Sequence, residues 1–237
     1  MIRLAVPFLA AACSGGDSPE APQNRDPAMG EETSSAPLII RATEEEVKAA
    51  FSDRDRIVVT FSGYSGSGYE DEDAMLERAR TILESYDPEL TVVNIGATVD
   101  GIGAVYEIAS EMGFETTGVV SSQALGANAT FSPFVDRIYV VEDEQWGGLL
   151  EGSDQLSPTS EAMVAVSDVY LAIGGGAVAR DELVAARERL DDVRFFAADQ
   201  NHSRAIERAE ARGEDPPTDF RGAAHGVFGD EGPGAPE

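Results

Sequence analysis

The sequence predicts an α/β protein: a Rossmann-like three-layer sandwich with a mainly parallel sheet of five to seven strands. Three observations predict it. Short β-branched runs alternate with amphipathic segments along most of the chain. The strand runs are short and mostly apolar, as strands covered on both faces are. Three of them end directly in glycine turns, at residues 62–68, 96–103 and 174–176. In open α/β sheets that edge, the carboxyl ends of the strands, is where ligands bind.

Each element can be justified in order. Residues 38–41 read as a short edge strand. Thr43-Glu44-Glu45-Glu46 is a capping box, so a helix opens there and runs to Phe51. Residues 56–61 form the first core strand, followed by the Ser/Gly turn. Residues 70–86 carry Met75, Ala79, Ile82 and Leu83 on one helical face, until Pro88 breaks the run. A second core strand over 90–95 leads into the second turn. The helix over 104–112 stops at Gly113, which suits the left-handed C′ position. Residues 116–121 form the third core strand, 123–136 a loop, and 137–141 the fourth core strand. The segment 142–155 is acidic and irregular and holds the only tryptophan, Trp146. Ser157-Pro158 opens a helix over 158–166. The fifth core strand, 169–173, meets Gly174-Gly175-Gly176, and a helix follows over 180–190. A sixth core strand over 193–198 and a helix over 201–212 complete the domain.

This gives a signal-like segment over 1–13, a Pro/Ser/Gly/Glu-rich linker over 14–37, one domain over 38–213, and a loose acidic tail over 214–237. With 42% apolar residues, a domain of that length builds a sizeable core. Acidic residues number 44 against 17 basic ones, a net charge of −27, and Lys48 is the only lysine. Such a field repels nucleic-acid phosphates and anionic lipid heads, so no nucleic-acid partner is expected. It also opposes an anionic small ligand unless local donors overcome it. An acidic, lysine-poor surface suits high salt, where screening removes self-repulsion. The single cysteine, Cys13, excludes an intrachain disulfide. His202 and His225 are too isolated for a metal site, so no metal and no cofactor are expected. No later run reaches the ~20 apolar residues of a membrane span.

Residues 1–13 have one positive charge, a short apolar run and small residues before Cys13, and a flexible Ser-Gly-Gly-Asp-Ser-Pro tether follows. The segment resembles a bacterial lipoprotein signal, although Ala10 rather than leucine stands three before Cys13. The resemblance implies a lipidated Cys13 and an exported protein that meets the membrane only through that lipid. A cytoplasmic N-terminus with a chance cysteine is the alternative.

A strand, a side-chain-free turn and a fresh helix N-terminus present backbone N–H groups to an anion. The candidate cradle therefore comprises Gly63, Tyr64, Ser65 and Gly66 in the first turn. It takes Gly96, Ala97, Thr98, Gly101 and Gly103 from the second, and Gly174, Gly175 and Gly176 from the third. Arg180 is the candidate cation. No turn has the dinucleotide GxGxxG spacing, and the P-loop Gly-Lys-Ser/Thr is absent. Order and wording instead resemble the LOG family (cytokinin riboside phosphate phosphoribohydrolases) and the wider SLOG superfamily of Rossmann-like nucleotide binders. Ser62-Gly63-Tyr64-Ser65 stands where that family has Gly-Ser-Ser. The run from Gly96 to Val105 aligns without a gap on Gly-Gly-Ser-x-Gly-Leu-Met-Gly-x-Val, with Asp100 in place of a glycine. The run from Gly174 to Glu182 aligns on Pro-Gly-Gly-x-Gly-Thr-x-x-Glu, with Val178 and Ala179 replacing Gly-Thr. The resemblance spans residues 56–198. It implies a nucleotide or other phosphorylated ligand, a homodimer, and Glu182 as the catalytic carboxylate. The family's upstream arginine is missing; its position falls at Thr159.

Bland alternatives stand beside these assignments. The glycines at 101, 103 and 174–176 can serve close helix–strand packing alone. Glu182 can be a solvated helix acid favoured by the dipole. Asp100 can cap a helix, and Asp199-Gln200-Asn201-His202 can be a capped helix start. Trp146 can be a packed loop anchor or can stack on a base. The expected function is a membrane-tethered binder of a small phosphorylated ligand. The rivals are a nucleoside 5′-monophosphate N-glycosidase using Glu182, in which a carboxylate supports the developing positive charge on the ribose, and an interaction lipoprotein with a vestigial pocket.

Overall fold

The computed structural model describes residues 36–52 and 55–229. Cys13, the signal-like segment and almost all of the linker lie outside the described residues. Seven strands are present among them: β1 (Leu38–Ala42), β2 (Ile57–Gly63), β3 (Thr91–Ile95), β4 (Glu115–Ser121), β5 (Arg137–Val141), β6 (Val169–Ile173) and β7 (Asp192–Phe196). They form one parallel sheet in the order β1-β5-β4-β3-β2-β6-β7. The helices are α1 (Glu44–Ser52), α2 (Glu72–Leu83), α3 (Val105–Glu111), α4 (Gln123–Gly126), α5 (Pro158–Ala165), α6 (Ala177–Arg189), α7 (His202–Arg212) and α8 (Gly222–Phe228). From β2 the chain builds outward through β3, β4 and β5, then returns to lay β6 and β7 on the other side of β2. The reversal leaves a switch in strand order between β2 and β6.

Period-two alternation in the strands divides the core into two layers. On one face Val59, Phe61, Val93, Ile95, Leu171 and Ile173 pack with Met75, Ala79 and Leu83 of α2 and Tyr106 of α3. On the other, Val58, Val92, Tyr139, Tyr170 and Ala172 pack with Val47 of α1, Met163 of α5 and Leu183 of α6. The sheet is therefore covered on both sides, which is why its central strands β2, β3 and β6 are mostly apolar.

Local chemistry sets the helix ends. The capping box is formed: the Glu46 amide donates to Thr43 Oγ1 (3.2 Å) and the Thr43 amide to Glu46 Oε2 (2.8 Å). Asn201 Oδ1 accepts from the Arg204 amide (3.0 Å) at the start of α7, and Gly213 closes that helix at φ +72°. Asp100 precedes a 3₁₀ turn (Gly101–Ala104) and makes no side-chain cap bond there. Two expectations need correcting. Residues 123–126, assigned to a loop, form the short helix α4. Residues 222–228, assigned to a loose tail, form α8. Its Ala224 and Phe228 are buried, and the Phe228 ring lies 5.6 Å from that of Phe195. Glycine- and proline-rich composition around the helix hides the one apolar pair that seats it.

Candidate functional site

At the carboxyl ends of β2, β3 and β4 lies a cleft of about 260 Å³. The strands lend it Phe61, Ser62, Ile95, Val119 and Ser121. The first turn lends Gly63 and Ser65, and the second lends Gly96, Thr98, Ile102 and Gly103. Thr159 and Met163 of α5, Val178 and Glu182 of α6, and Trp146 close the remaining walls.

The first two turns interlock. Gly101 sits at φ +59°, and a Cβ there would stand 2.1 Å from the Tyr64 carbonyl oxygen; the next amide, of Ile102, donates to that oxygen (2.7 Å). A Cβ on Gly103 would stand 1.8 Å from the Thr98 carbonyl. By contrast, a Cβ on Gly96 meets nothing within 4 Å, because this glycine borders the open cleft.

Glu182 is the one charged residue in the lining. It is only 5% exposed. Tyr170 Oη donates to its Oε2 (2.6 Å) and Ser160 Oγ to its Oε1 (2.7 Å), while Ser62 Oγ stands 3.5 Å from Oε2. Burial pushes the carboxyl above its usual range and the neighbouring Asp181 adds to this; the three hydroxyls oppose the shift. The same burial, with Glu182 alongside, drives the Tyr170 hydroxyl well up, so it remains a donor. Glu182 is thus no solvated helix acid.

Above Glu182 runs the loop from Glu142 to Ser157. The Gly148 amide donates to Ser160 Oγ (2.7 Å) and the Leu149 amide to Asp181 Oδ2 (3.2 Å). Gly147 and Gly148 take φ +126° and +83°, which lets the backbone lie flat on α6. Trp146 stands beside them, 51% exposed and lining the cleft, so it is not a packed anchor. At the other end of the loop Asp143 is buried. Its Oδ1 accepts from the Gln145 amide and its Oδ2 from the Thr159 amide (both 3.0 Å). Burial works against this carboxylate, but the bonds from the Gln145 and Thr159 amides hold it below its usual range. The N-terminus of α5 therefore already has an anion, supplied by the chain itself.

The sequence-derived candidates divide accordingly. Gly63, Ser65, Gly96, Thr98, Gly103 and Glu182 line the cleft; Tyr64, Gly66, Ala97, Gly101, Gly174, Gly175, Gly176 and Arg180 are not among its lining residues. Tyr64 turns away from it. Its hydroxyl donates to the carbonyls of Ala198 (3.1 Å) and Phe220 (3.4 Å), and its ring fills the space over Gly174, where a Cβ would meet Tyr64 Cε2 at 2.4 Å. The Gly174 amide donates to Phe196 O (2.7 Å), and the Gly175 carbonyl accepts from Ala224 of α8 (3.2 Å). The third turn is thus a packing joint, closed by Tyr64 and α8. Gly66 faces Arg208, and Ala97 is fully buried at φ +64°. Arg180 pairs with its neighbour Asp181 (2.7 Å). Ser160 and Tyr170, which hold Glu182, escaped sequence reasoning; Ser121 had a usable signal, since it ends a strand at the ligand-binding edge.

No protein-family profile matches the chain, and no curated protein matches it. Two similar solved structures are the molybdenum cofactor carrier protein MCP from Chlamydomonas reinhardtii and the structural-genomics target TM1055. The first is 18% identical over 60% of this chain and 76% of that one, with a TM-score of 0.42. The second is 24% identical over 55% of this chain and 68% of that one, with a TM-score of 0.36. Likeness at this level carries no function across; the Rossmann-like assignment rests on the parallel sheet and its strand order.

Proposed function

We propose that the protein binds a compact small molecule in the cleft at the carboxyl ends of β2, β3 and β4. One observation carries this reading: two glycine turns, a buried carboxylate and a half-exposed tryptophan converge on one cleft beside the switch in strand order. The mixture of apolar walls with a few placed hydroxyls is that of a ligand site. No Lys, Arg or His lines the cleft and Arg180 pairs with Asp181, so a phosphate there would rest on backbone N–H groups alone. A volume of about 260 Å³ also suits a ligand smaller than the drug-sized molecules held by pockets of ~300–1,000 Å³.

Trp146 is the only tryptophan in the chain, so intrinsic fluorescence reports on this cleft. A saturable change in emission with at least one member of a panel of nucleosides, amines, polyols and sugar phosphates is expected. A flat response across the panel, together with unchanged melting temperatures, overturns the reading. The second reading, an N-glycosidic hydrolase, draws on the position of Glu182 in the wall and its raised pKa, which suit a proton-carrying group. Glu182→Gln would then retain ligand binding and abolish release of free base from a nucleoside. Export on a lipidated Cys13 belongs to the same proposal, and mass spectrometry of the mature N-terminus for a diacylglyceryl group tests it.

A further inference from the structure

We propose that the cleft's ligand is a small organic cation, an ammonium or similar group on a flat or apolar body; this rests on the small-molecule reading above. Three features that could receive an anion are occupied from within the chain. The Asp143 carboxylate holds the N-terminus of α5 at the Thr159 amide. Tyr64 and α8 close the Gly174–Gly175 turn. Asp181 holds Arg180. The side chains that border the cleft are complementary to positive charge instead. Glu182 borders the cleft, with both oxygens fixed by the hydroxyls of Tyr170 and Ser160, so an incoming cation meets an acceptor already in place.

Trp146 supplies the second element. An indole face is the best aromatic partner for a cation. Its neighbour Gly147 lies close over the carboxylate: a Cβ on Gly147 would be 3.9 Å from Glu182 Oε1. Carboxylate and indole thus border the same small space. Ile95, Val119 and Met163 give the ligand body an apolar floor, and Ser62, Thr98 and Ser121 add polar residues to the wall. A net charge of −27 raises the local concentration of cations and lowers that of anions. A bound cation would also give the buried carboxylate a charged partner, which its hydroxyl neighbours do not provide.

The test uses three probes of one shape and different charge: benzylammonium, benzyl alcohol and benzoate. They are titrated into the full-length protein at low ionic strength with Trp146 emission as readout. Benzylammonium is expected to bind about tenfold more tightly than benzyl alcohol, and benzoate more weakly than either. Glu182→Gln should narrow the gap between the first two to about threefold or less. Should that buried substitution unfold the protein, Trp146→Leu at a half-exposed position serves instead. Followed by calorimetry, it should weaken benzylammonium about fivefold while leaving benzyl alcohol nearly unchanged. Equal binding of benzylammonium and benzyl alcohol, or tighter binding of benzoate, overturns the cation inference and leaves the small-molecule reading intact. Absence of binding by all three also overturns the cation inference, and the small-molecule reading then stands or falls with the wider panel.

Discussion

The second and third glycine turns read alike and behave differently. Both follow a core strand, and both resemble glycine motifs of one family. The second, between β3 and α3, lies partly open: Gly96, Thr98 and Gly103 line the cleft. The third, between β6 and α6, is filled by the Tyr64 ring and capped by Ala224 of α8. Its contribution to the site comes instead from side chains further along α6, Val178 and Glu182. Glycine records only that a side chain is unwelcome. The reason can be a ligand, or it can be another part of the chain, and the positions a Cβ would occupy tell these apart.

The largest effect expected from that comparison is at Gly103. Its missing Cβ space is taken by the Thr98 carbonyl at 1.8 Å, which is backbone and cannot swing aside. Gly103→Ala should cost about 3 kcal/mol or more, read as a lowered urea midpoint at unchanged slope. A cost near zero would mean that the second turn has room to move and that its glycines serve the cleft alone.

Much of this architecture was legible from residues. All seven strands overlap the segments read as strands from the sequence, and the capping box at Thr43 is formed. Glu182 was found through the motif resemblance. Its burial was not, because that depends on Ser62, Ser160 and Tyr170, which lie 120, 22 and 12 residues away along the chain. Local sequence shows only an Arg-Asp-Glu triplet near a helix start. The position of β1 beyond β5 is equally a matter of long-range pairing. The closure of the third turn was hidden for the same reason, since it requires contact between Tyr64, Gly174 and residues beyond 220.

Phe228 tests that closure. It is 7% exposed, seated against Phe195, with the Arg187 guanidinium 5.8 Å from its ring centroid. Phe228→Ala should cost about 3 kcal/mol and loosen α8, seen as faster amide exchange at Ala224. If the third turn is a packing joint, inorganic phosphate gives the loosened variant no extra thermal stability. A phosphate-dependent rise in melting temperature would show instead an anion cradle that α8 covers.

The helix that follows the third turn can be probed through pH. Burial raises the Glu182 pKa in the folded protein above that of the unfolded chain. Between the usual carboxylate range and the raised value, the unfolded chain gives up its proton while the folded protein retains it. Fewer protons on the unfolded state means that stability falls as pH rises through that window and is unaffected below it. Glu182→Gln lacks this dependence. The stability of the wild type relative to Glu182→Gln should therefore decline from about pH 4 upward. A difference that stays constant with pH would mean that the carboxylate is hydrated, and the cleft wider than the lining residues imply.

The smallest effect has the opposite sign, and it is the sharpest discriminator. Gly96 lies seven residues before Gly103 in the same turn, yet a Cβ there meets no atom within 4 Å, and its φ is not positive. Alanine at such a position restricts the unfolded chain without straining the folded one. Gly96→Ala should thus raise stability by about 0.5 kcal/mol. The added methyl would still project toward the cleft that Gly96 lines, taking space from a volume of about 260 Å³. Loss of ligand affinity with a gain in stability is the pattern of a glycine held open for a ligand. A loss of stability comparable to that of Gly103→Ala would place both glycines in the packing class. The first and second turns would then differ from the third only in which part of the chain fills them.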